Sequence, residues 1–283
     1  MGVVFKDRVM LFLVIAAAVS VTVHTLAALQ TMPGATERFM QMAQGSVPIT
    51  LAMMAAQYVT RVGMKNIVGY KIIGHQPGMS AVLYEAKVDR FGAACFKACY
   101  WTVSTVIGYI ILRDEDWMPK ELGGSGKATA VWEGYGYQQH SNNLIWFYVV
   151  SFAYQLSDFT LHVMFEKRRP DFVEMLLHHS VAIALILTSF MSDFVRVGAL
   201  TIFLHGISDI WVYFSKALVD TNFKLMNILA FASLYFTYAW CRLYVFPHRI
   251  LRNTWNGVPL HLRQNEAYIG NWTFFNFLLC THL

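Results

Sequence analysis

The chain has 283 residues, of which 56% are apolar and only 14% are Asp, Glu, Lys or Arg. A soluble domain carries roughly 25% of these charged residues. The composition therefore excludes a soluble globular enzyme, a disordered tail and a disulfide-rich secreted scaffold. The net charge of +5 does not indicate nucleic-acid binding, because the basic residues lie beside apolar runs, where membrane topology explains them.

Eight apolar stretches approach the roughly 20 residues that a membrane-spanning helix needs. In chain order they are 9–29, 47–64, 94–112, 143–164, 172–191, 194–215, 225–246 and 267–283. The sequence thus predicts an all-α polytopic membrane protein. We expect a bundle of about 7–8 transmembrane helices around a lipid-accessible cavity.

The chain is predicted to divide into two parts. Residues 1–46 form a signal anchor, or an extra transmembrane helix, with a luminal loop. The first stretch favours an anchor because it exceeds the roughly 7–15-residue core of a cleaved signal peptide. Residues 47–283 form one transmembrane domain, whose first stretch, 47–64, opens with Pro48. Its final helix is expected to be truncated at Leu283.

The distribution of Lys and Arg predicts the orientation of the helices. Basic residues are more frequent on the side that holds the connection 165–171, which places this connection in the cytosol. The long loop 113–142 is then luminal. Its glycines Gly123, Gly124 and Gly126 predict a flexible segment.

Ionisable groups inside the apolar stretches are concentrated in two neighbouring spans. The fifth stretch carries His178 and His179, and the sixth carries His205, Ser208 and Asp209. Such groups cost roughly 2–4 kcal/mol in a membrane and usually mark a functional site.

A short turn at 192–193 makes these two spans antiparallel neighbours. At a rise of 1.5 Å per residue, His178 and His205 both lie about 20 Å from the turn. The sequence therefore predicts that imidazoles and the Asp209 carboxylate meet at one depth.

Three chemical interpretations of this cluster stay open. The histidines can form interhelical hydrogen bonds only. They can bind zinc or iron, although they lack the repeated histidine boxes of membrane di-iron enzymes. They can also act as a general base, or attack a thioester and carry its acyl group.

Residues 167–216 resemble the signature of the ceramide synthases, a branch of the TLC-type membrane-domain family. The resemblance rests on R-R-P-D-F-V-E-M-L-L-H-H, which ends at His179, and on L-H-G-I-S-D, which ends at Asp209. A weaker likeness extends over roughly 47–283. The family's implied activity is N-acylation of a sphingoid base by a fatty acyl-CoA, giving ceramide or dihydroceramide in the endoplasmic reticulum membrane.

The resemblance implies roles for individual residues. His178, His179 and Asp209 are the implied catalytic residues. His205 and Ser208 are expected to contact the substrate. The basic run Lys167, Arg168 and Arg169 is expected to meet the phosphates of acyl-CoA, although positive-inside topology explains the run equally well. No metal or other cofactor is expected beyond acyl-CoA as co-substrate. The expected partners are the sphingoid base, the bilayer and a second family member in a homo- or heterodimer.

Four positions depart from the family pattern, among them Ala182, where the family has a threonine, and Pro170, where it has a lysine. Gly206 stands where the motif has an aspartate, and Tyr213 stands where it has a glutamate. The alternative function is therefore a catalytically impaired relative that binds lipid or regulates an active paralogue. A non-catalytic translocation-associated or lipid-sensing protein is a third interpretation, which the paired histidines disfavour.

Overall fold

A computed structural model describes residues 34–256, except 76, 136, 137, 168 and 170. This part of the chain consists of helices and turns without a β-strand, which confirms the all-α class. Five of its helical segments are long and apolar enough to cross a membrane. The predicted stretches 9–29 and 267–283 lie outside the described residues. A total of 7–8 transmembrane helices therefore stays a prediction.

The helices follow one another with short connections in most places. They are α1 (Ala35–Met64), α2 (Ala81–Leu112), α3 (Asn142–Phe165), α4 (Phe172–Met191), α5 (Val195–Leu218), α6 (Lys224–Tyr238) and α7 (Arg252–Asn256). A π-helical turn, Lys65–Gly69, extends α1, and a longer π-helical segment, Ala239–Leu251, joins α6 to α7. The segment Lys224–Asn256 thereby forms one continuous apolar element.

Helix starts are set by local side-chain chemistry. Ser80 and Ser141 cap α2 and α3, because each hydroxyl accepts a hydrogen bond from the backbone N–H three residues later. The expectation that the second stretch opens at Pro48 is wrong, since α1 begins at Ala35 and runs through this proline. A proline removes one helical hydrogen bond, and the helix-forming residues before it continue the helix.

The two helices that carry the predicted site have different main partners. A turn around Asp193, whose φ of 61° is left-handed, joins α4 to α5 and confirms the predicted tight connection. Beyond the turn, α5 packs most extensively on α2, whereas α4 packs mainly on α3. The polar side chains of α4 and α5 are therefore placed in different surroundings.

The long connection between α2 and α3 is folded against the bundle. Two 3-10 turns, Lys120–Leu122 and Ala128–Trp132, carry buried apolar side chains into the core. The backbone N–H of Gly126 donates to the Met118 carbonyl at 2.9 Å, and a Cβ at Gly126 would lie 2.0 Å from the Asp116 oxygen. The glycines of this segment therefore permit close backbone packing, whereas its flexibility stays a prediction.

Candidate functional site

The paired histidines lie on α4 and have unlike environments. His178 is exposed, whereas His179 is buried with 4% of its surface accessible. Their rings meet edge to face with centroids 5.6 Å apart. Adjacent positions on a helix point about 100° apart, so one imidazole is accessible while the other is held inside the bundle.

The polar partners of His179 come from α3 and not from α5. Its Nε2 atom lies 3.7 Å from Oδ2 of Asp158, which is 2% exposed. Its ring centroid is 5.6 Å from that of His162. A carboxylate and a second imidazole thus surround His179.

Asp158 is also the partner of a buried cation on α2. The ammonium of Lys97 lies 2.6 Å from Oδ1 of Asp158 and 5.5 Å from the centre of the Tyr213 ring. A buried charge is tolerated only with a partner in good geometry. The pair therefore ties α2 to α3 at the level of His179.

The polar contacts beside His179 continue from His162 to the end of α3. The Nδ1 atom of His162 lies 3.0 Å from Oε2 of Glu166, and its Nε2 donates to the Phe172 carbonyl oxygen at 3.0 Å. Burial would raise the pKa of the Glu166 carboxyl. The hydrogen bond from His162 and the charges of Lys97 and Arg169 instead lower this pKa to about 2. Glu166 is therefore an anion at neutral pH.

The predicted basic run is only partly available for a ligand. The guanidinium of Arg169 is bound by Glu166 at 2.9 Å and by Asp171 at 2.8 Å. The hydrogen bonds from Arg169 lower the pKa of Asp171, which therefore stays ionised. Lys167 is exposed, and Arg168 lies outside the described residues. Local carboxylates thus already neutralise one of the three predicted phosphate contacts.

The polar residues of α5 form a separate group around Arg242. Arg242, in the π-helical segment, lies 2.5 Å from Oδ1 of Asp209 and donates from Nε to the Ser208 hydroxyl at 2.9 Å. The hydroxyl of Ser208 donates in turn to the His205 carbonyl oxygen. This buried hydroxyl thus donates one hydrogen bond and accepts another within the protein.

His205 is held by its own helix. Its Nδ1 atom donates to the Thr201 carbonyl oxygen at 2.8 Å, and its ring meets Phe246 edge to face at 5.2 Å. The prediction of one cluster at one depth therefore resolves into two groups. His179 belongs with Asp158, whereas Ser208 and Asp209 belong with Arg242. His178 lies within electrostatic range of both Asp158 and Arg242.

Gly206, which stands where the family motif has an aspartate, faces α2. A Cβ at this position would lie 2.6 Å from the Thr105 hydroxyl oxygen and 3.4 Å from the Trp101 ring. The space that a motif aspartate would enter is therefore already lined by two α2 side chains.

We expect Gly206→Asp to lower the free energy of unfolding by about 1–3 kcal/mol, as overpacked interiors do. Thermal unfolding in detergent measures this change. Adding Thr105→Ala removes the closest atom and should recover part of the loss. Gly63→Ala is the matched control, because nothing lies within 4 Å of a Cβ there. A Gly206→Asp variant as stable as the parent contradicts the packing argument.

Within the described ranges, no three His, Cys, Asp or Glu side chains are grouped closely enough to hold a metal ion. Cys95, Cys99 and Cys241 are free thiols, and they are half-buried, exposed and buried respectively.

Sequence reasoning missed Asp158, His162, Lys97 and Arg242. Asp158, His162 and Glu166 are spaced by four residues, so they share one face of α3. This spacing was the available signal for the α3 residues. The contributions of Lys97 and Arg242 depend on which helices pack together, and the sequence does not contain that information locally.

Comparison with known proteins identifies the family. The TLC domain matches residues 90–283. Ceramide synthase hyl-2 of Caenorhabditis elegans is 26% identical over 187 residues, which are 66% of this chain and 54% of that protein. Ceramide synthase 3 of Homo sapiens is 27% identical over 192 residues, which are 65% of this chain and 46% of that protein.

Ceramide synthase 4 of Mus musculus is 26% identical over 190 residues, which are 67% of this chain and 46% of that protein. The chain thus spans about half the length of the curated relatives it matches. The paired histidines, the accessible His178 and the buried Asp158–His179 contact all fall inside the matched region. This chain is a member of the TLC-domain family, and it is similar to the ceramide synthases of that family.

Proposed function

We propose that this protein is a sphingoid-base N-acyltransferase that forms ceramide or dihydroceramide from a fatty acyl-CoA. The single observation that carries the proposal is the pair His178 and His179. One imidazole is accessible, and the other is buried beside the Asp158 carboxylate. An imidazole next to a fixed carboxylate is suited to base or nucleophile chemistry at neutral pH.

The overall reaction breaks the thioester C–S bond and forms an amide C–N bond. Coenzyme A leaves as a thiol, which takes up a proton lost by the amine. An imidazole of the pair can remove that proton as the amine attacks. It can instead attack the thioester carbon first, releasing coenzyme A, before the amine displaces the acyl group and restores the imidazole.

The proposed substrate contacts follow the two polar groups of the site. Lys167 and Arg168 meet the phosphates of acyl-CoA from the cytosolic side. A narrow cavity lies between α1, α2 and α3. Its lining includes Gln57, Tyr58 and Phe165 together with the buried ion pair of Lys97 and Asp158. In this proposal His205, Ser208 and Asp209 contact the substrate from α5, where Ser208 and Asp209 are grouped with Arg242. The reaction as proposed uses acyl-CoA as co-substrate and no other cofactor.

The experiment uses membranes from cells that lack their own ceramide synthases. Membranes with this protein are incubated with a sphingoid base and acyl-CoAs of several lengths, and the amide product is measured by mass spectrometry. We expect product with the parent chain and a loss of about 10²–10⁴-fold for His178→Ala and His179→Ala. His248→Ala, at an exposed imidazole of the π-helical segment, is the matched control.

Unchanged activity in both histidine variants would overturn the assignment of these residues. Complete inactivity of the well-folded parent would overturn the proposed reaction. A covalent acyl group found on α4 after incubation with acyl-CoA alone distinguishes the nucleophile route from the base route.

A second candidate function rests on Gly206. Because α2 side chains line the space beside it, the chain lacks one motif carboxylate and has no room for it. In this alternative the protein binds lipid or regulates an active family member as a dimer in the endoplasmic reticulum membrane. Activity that appears only on coexpression with such a paralogue supports this alternative.

A further inference from the structure

We infer that Asp158 is the positioning residue of His179, so that a carboxylate from α3 orients an imidazole of the α4 pair. This inference rests on the proposed function for its role in acyl transfer, although the contact itself does not. In the structure, Oδ2 of Asp158 lies 3.7 Å from Nε2 of His179.

The two oxygens of Asp158 have separate partners. Oδ1 is bound to the Lys97 ammonium at 2.6 Å, whereas Oδ2 has no hydrogen bond and faces His179. Asp158 is 2% exposed, so surface water does not donate a hydrogen bond to Oδ2. A buried acceptor without a partner is unfavourable. A short movement that brings Nε2 of His179 within hydrogen-bond distance of Oδ2 would give this acceptor a donor.

The nitrogens of His179 show the complementary pattern. Nε2 faces Asp158, and Nδ1 is buried without a hydrogen-bond partner. When Nε2 carries the proton and donates it to Asp158, the lone pair is left on Nδ1. A carboxylate that holds one nitrogen as a donor fixes the tautomer and leaves the other nitrogen to accept a proton or an acyl group.

Lys97 has a distinct task in this arrangement. Its ammonium, 2.6 Å from Oδ1, holds the Asp158 carboxylate in place from α2. Two roles for Asp158 therefore compete. It can serve only as the counterion of a buried lysine, or it can also orient His179.

A charge-neutral double variant separates these roles. Asp158→Asn should lower kcat about 10²-fold or more, with KM for acyl-CoA changed by about 3-fold or less. Lys97→Met alone should reduce the yield of folded protein, because it leaves Asp158 without its cation. The double variant Lys97→Met with Asp158→Asn should regain folded yield while kcat stays as low as in Asp158→Asn.

Recovery of kcat in the double variant would overturn the inference, because Asp158 would then only neutralise Lys97. Asp158→Glu, which keeps a carboxylate, should retain more activity than Asp158→Asn. The opposite order also overturns it. Asp220→Asn is the matched control, since Asp220 pairs with Lys87 and Arg90 beyond the end of α5. It should leave kcat unchanged.

A stability measurement tests the contact without any activity. Asp158→Asn, His179→Gln and their combination are compared by thermal unfolding of the purified full chain. We expect the combined loss in melting temperature to be smaller than the sum of the single losses, as for residues in contact. Additive losses overturn the inference. An inactive parent with non-additive losses would instead refute the proposed reaction and leave the pairing in place.

Discussion

Replacing Gly198 by valine is expected to prevent stable folding of the bundle. A Cβ at this position of α5 would lie 1.6 Å from the Tyr148 hydroxyl oxygen and 2.8 Å from that of Ser189. Tyr148 is fully buried, and its hydroxyl lies within hydrogen-bond distance, 3.1 Å, of Ser189. A larger side chain at this position therefore requires the buried Tyr148 ring to shift. We expect the free energy of unfolding to fall by about 3 kcal/mol or more.

The measurement is the amount of monodisperse protein in detergent and its melting temperature. Gly63→Val on α1 is the matched control, because its Cβ direction is open. Gly198→Ala should lower the melting temperature less than Gly198→Val. Adding Tyr148→Phe to Gly198→Ala should recover part of the loss, because it removes the closest oxygen. A Gly198→Val chain that is expressed and melts like the parent would show that α3 and α5 are not packed this closely.

Gly198 also shows which parts of the fold are readable from the sequence. A small residue in a membrane helix permits close helix approach, and Gly198 lies where α5 approaches Tyr148 of α3. The long apolar runs predicted the five described spans, because span length follows from bilayer thickness. The predicted span 47–64 lies in α1, which is not among these five. The start of α1 was missed, since Pro48 lies inside this helix and does not mark its first turn.

The site was only partly readable for a related reason. Spacing along one helix correctly placed His178 and His179 on α4 and showed that they point in different directions. It also placed His205 and Asp209 on α5. Spacing does not reveal which helix covers each face. Spacing therefore did not predict that the buried carboxylate beside His179 comes from α3. It also did not predict that Asp209 is paired with Arg242 of the π-helical segment.

This pairing leads to the second prediction of large effect. Arg242→Met should lower the free energy of unfolding by about 3 kcal/mol, because it leaves the half-buried Asp209 carboxylate without its cation. Arg242 is 9% exposed and also lies 5.3 Å from the Tyr238 ring centre. Methionine keeps much of the packing volume of the arginine side chain, so the loss reports mainly on charge.

The double variant Arg242→Met with Asp209→Asn removes both charges and should recover most of the stability lost in Arg242→Met. Arg249→Met is the matched control, since Arg249 is on the same segment but pairs with Glu121 at an exposed position. Exposed pairs contribute about 0–1 kcal/mol, so that variant should melt close to the parent. If the double variant is no more stable than Arg242→Met, then Arg242 acts through Ser208 and Tyr238 rather than through Asp209. Acyltransferase activity restored together with stability would further show that the Asp209 charge is needed for the fold and not for the reaction.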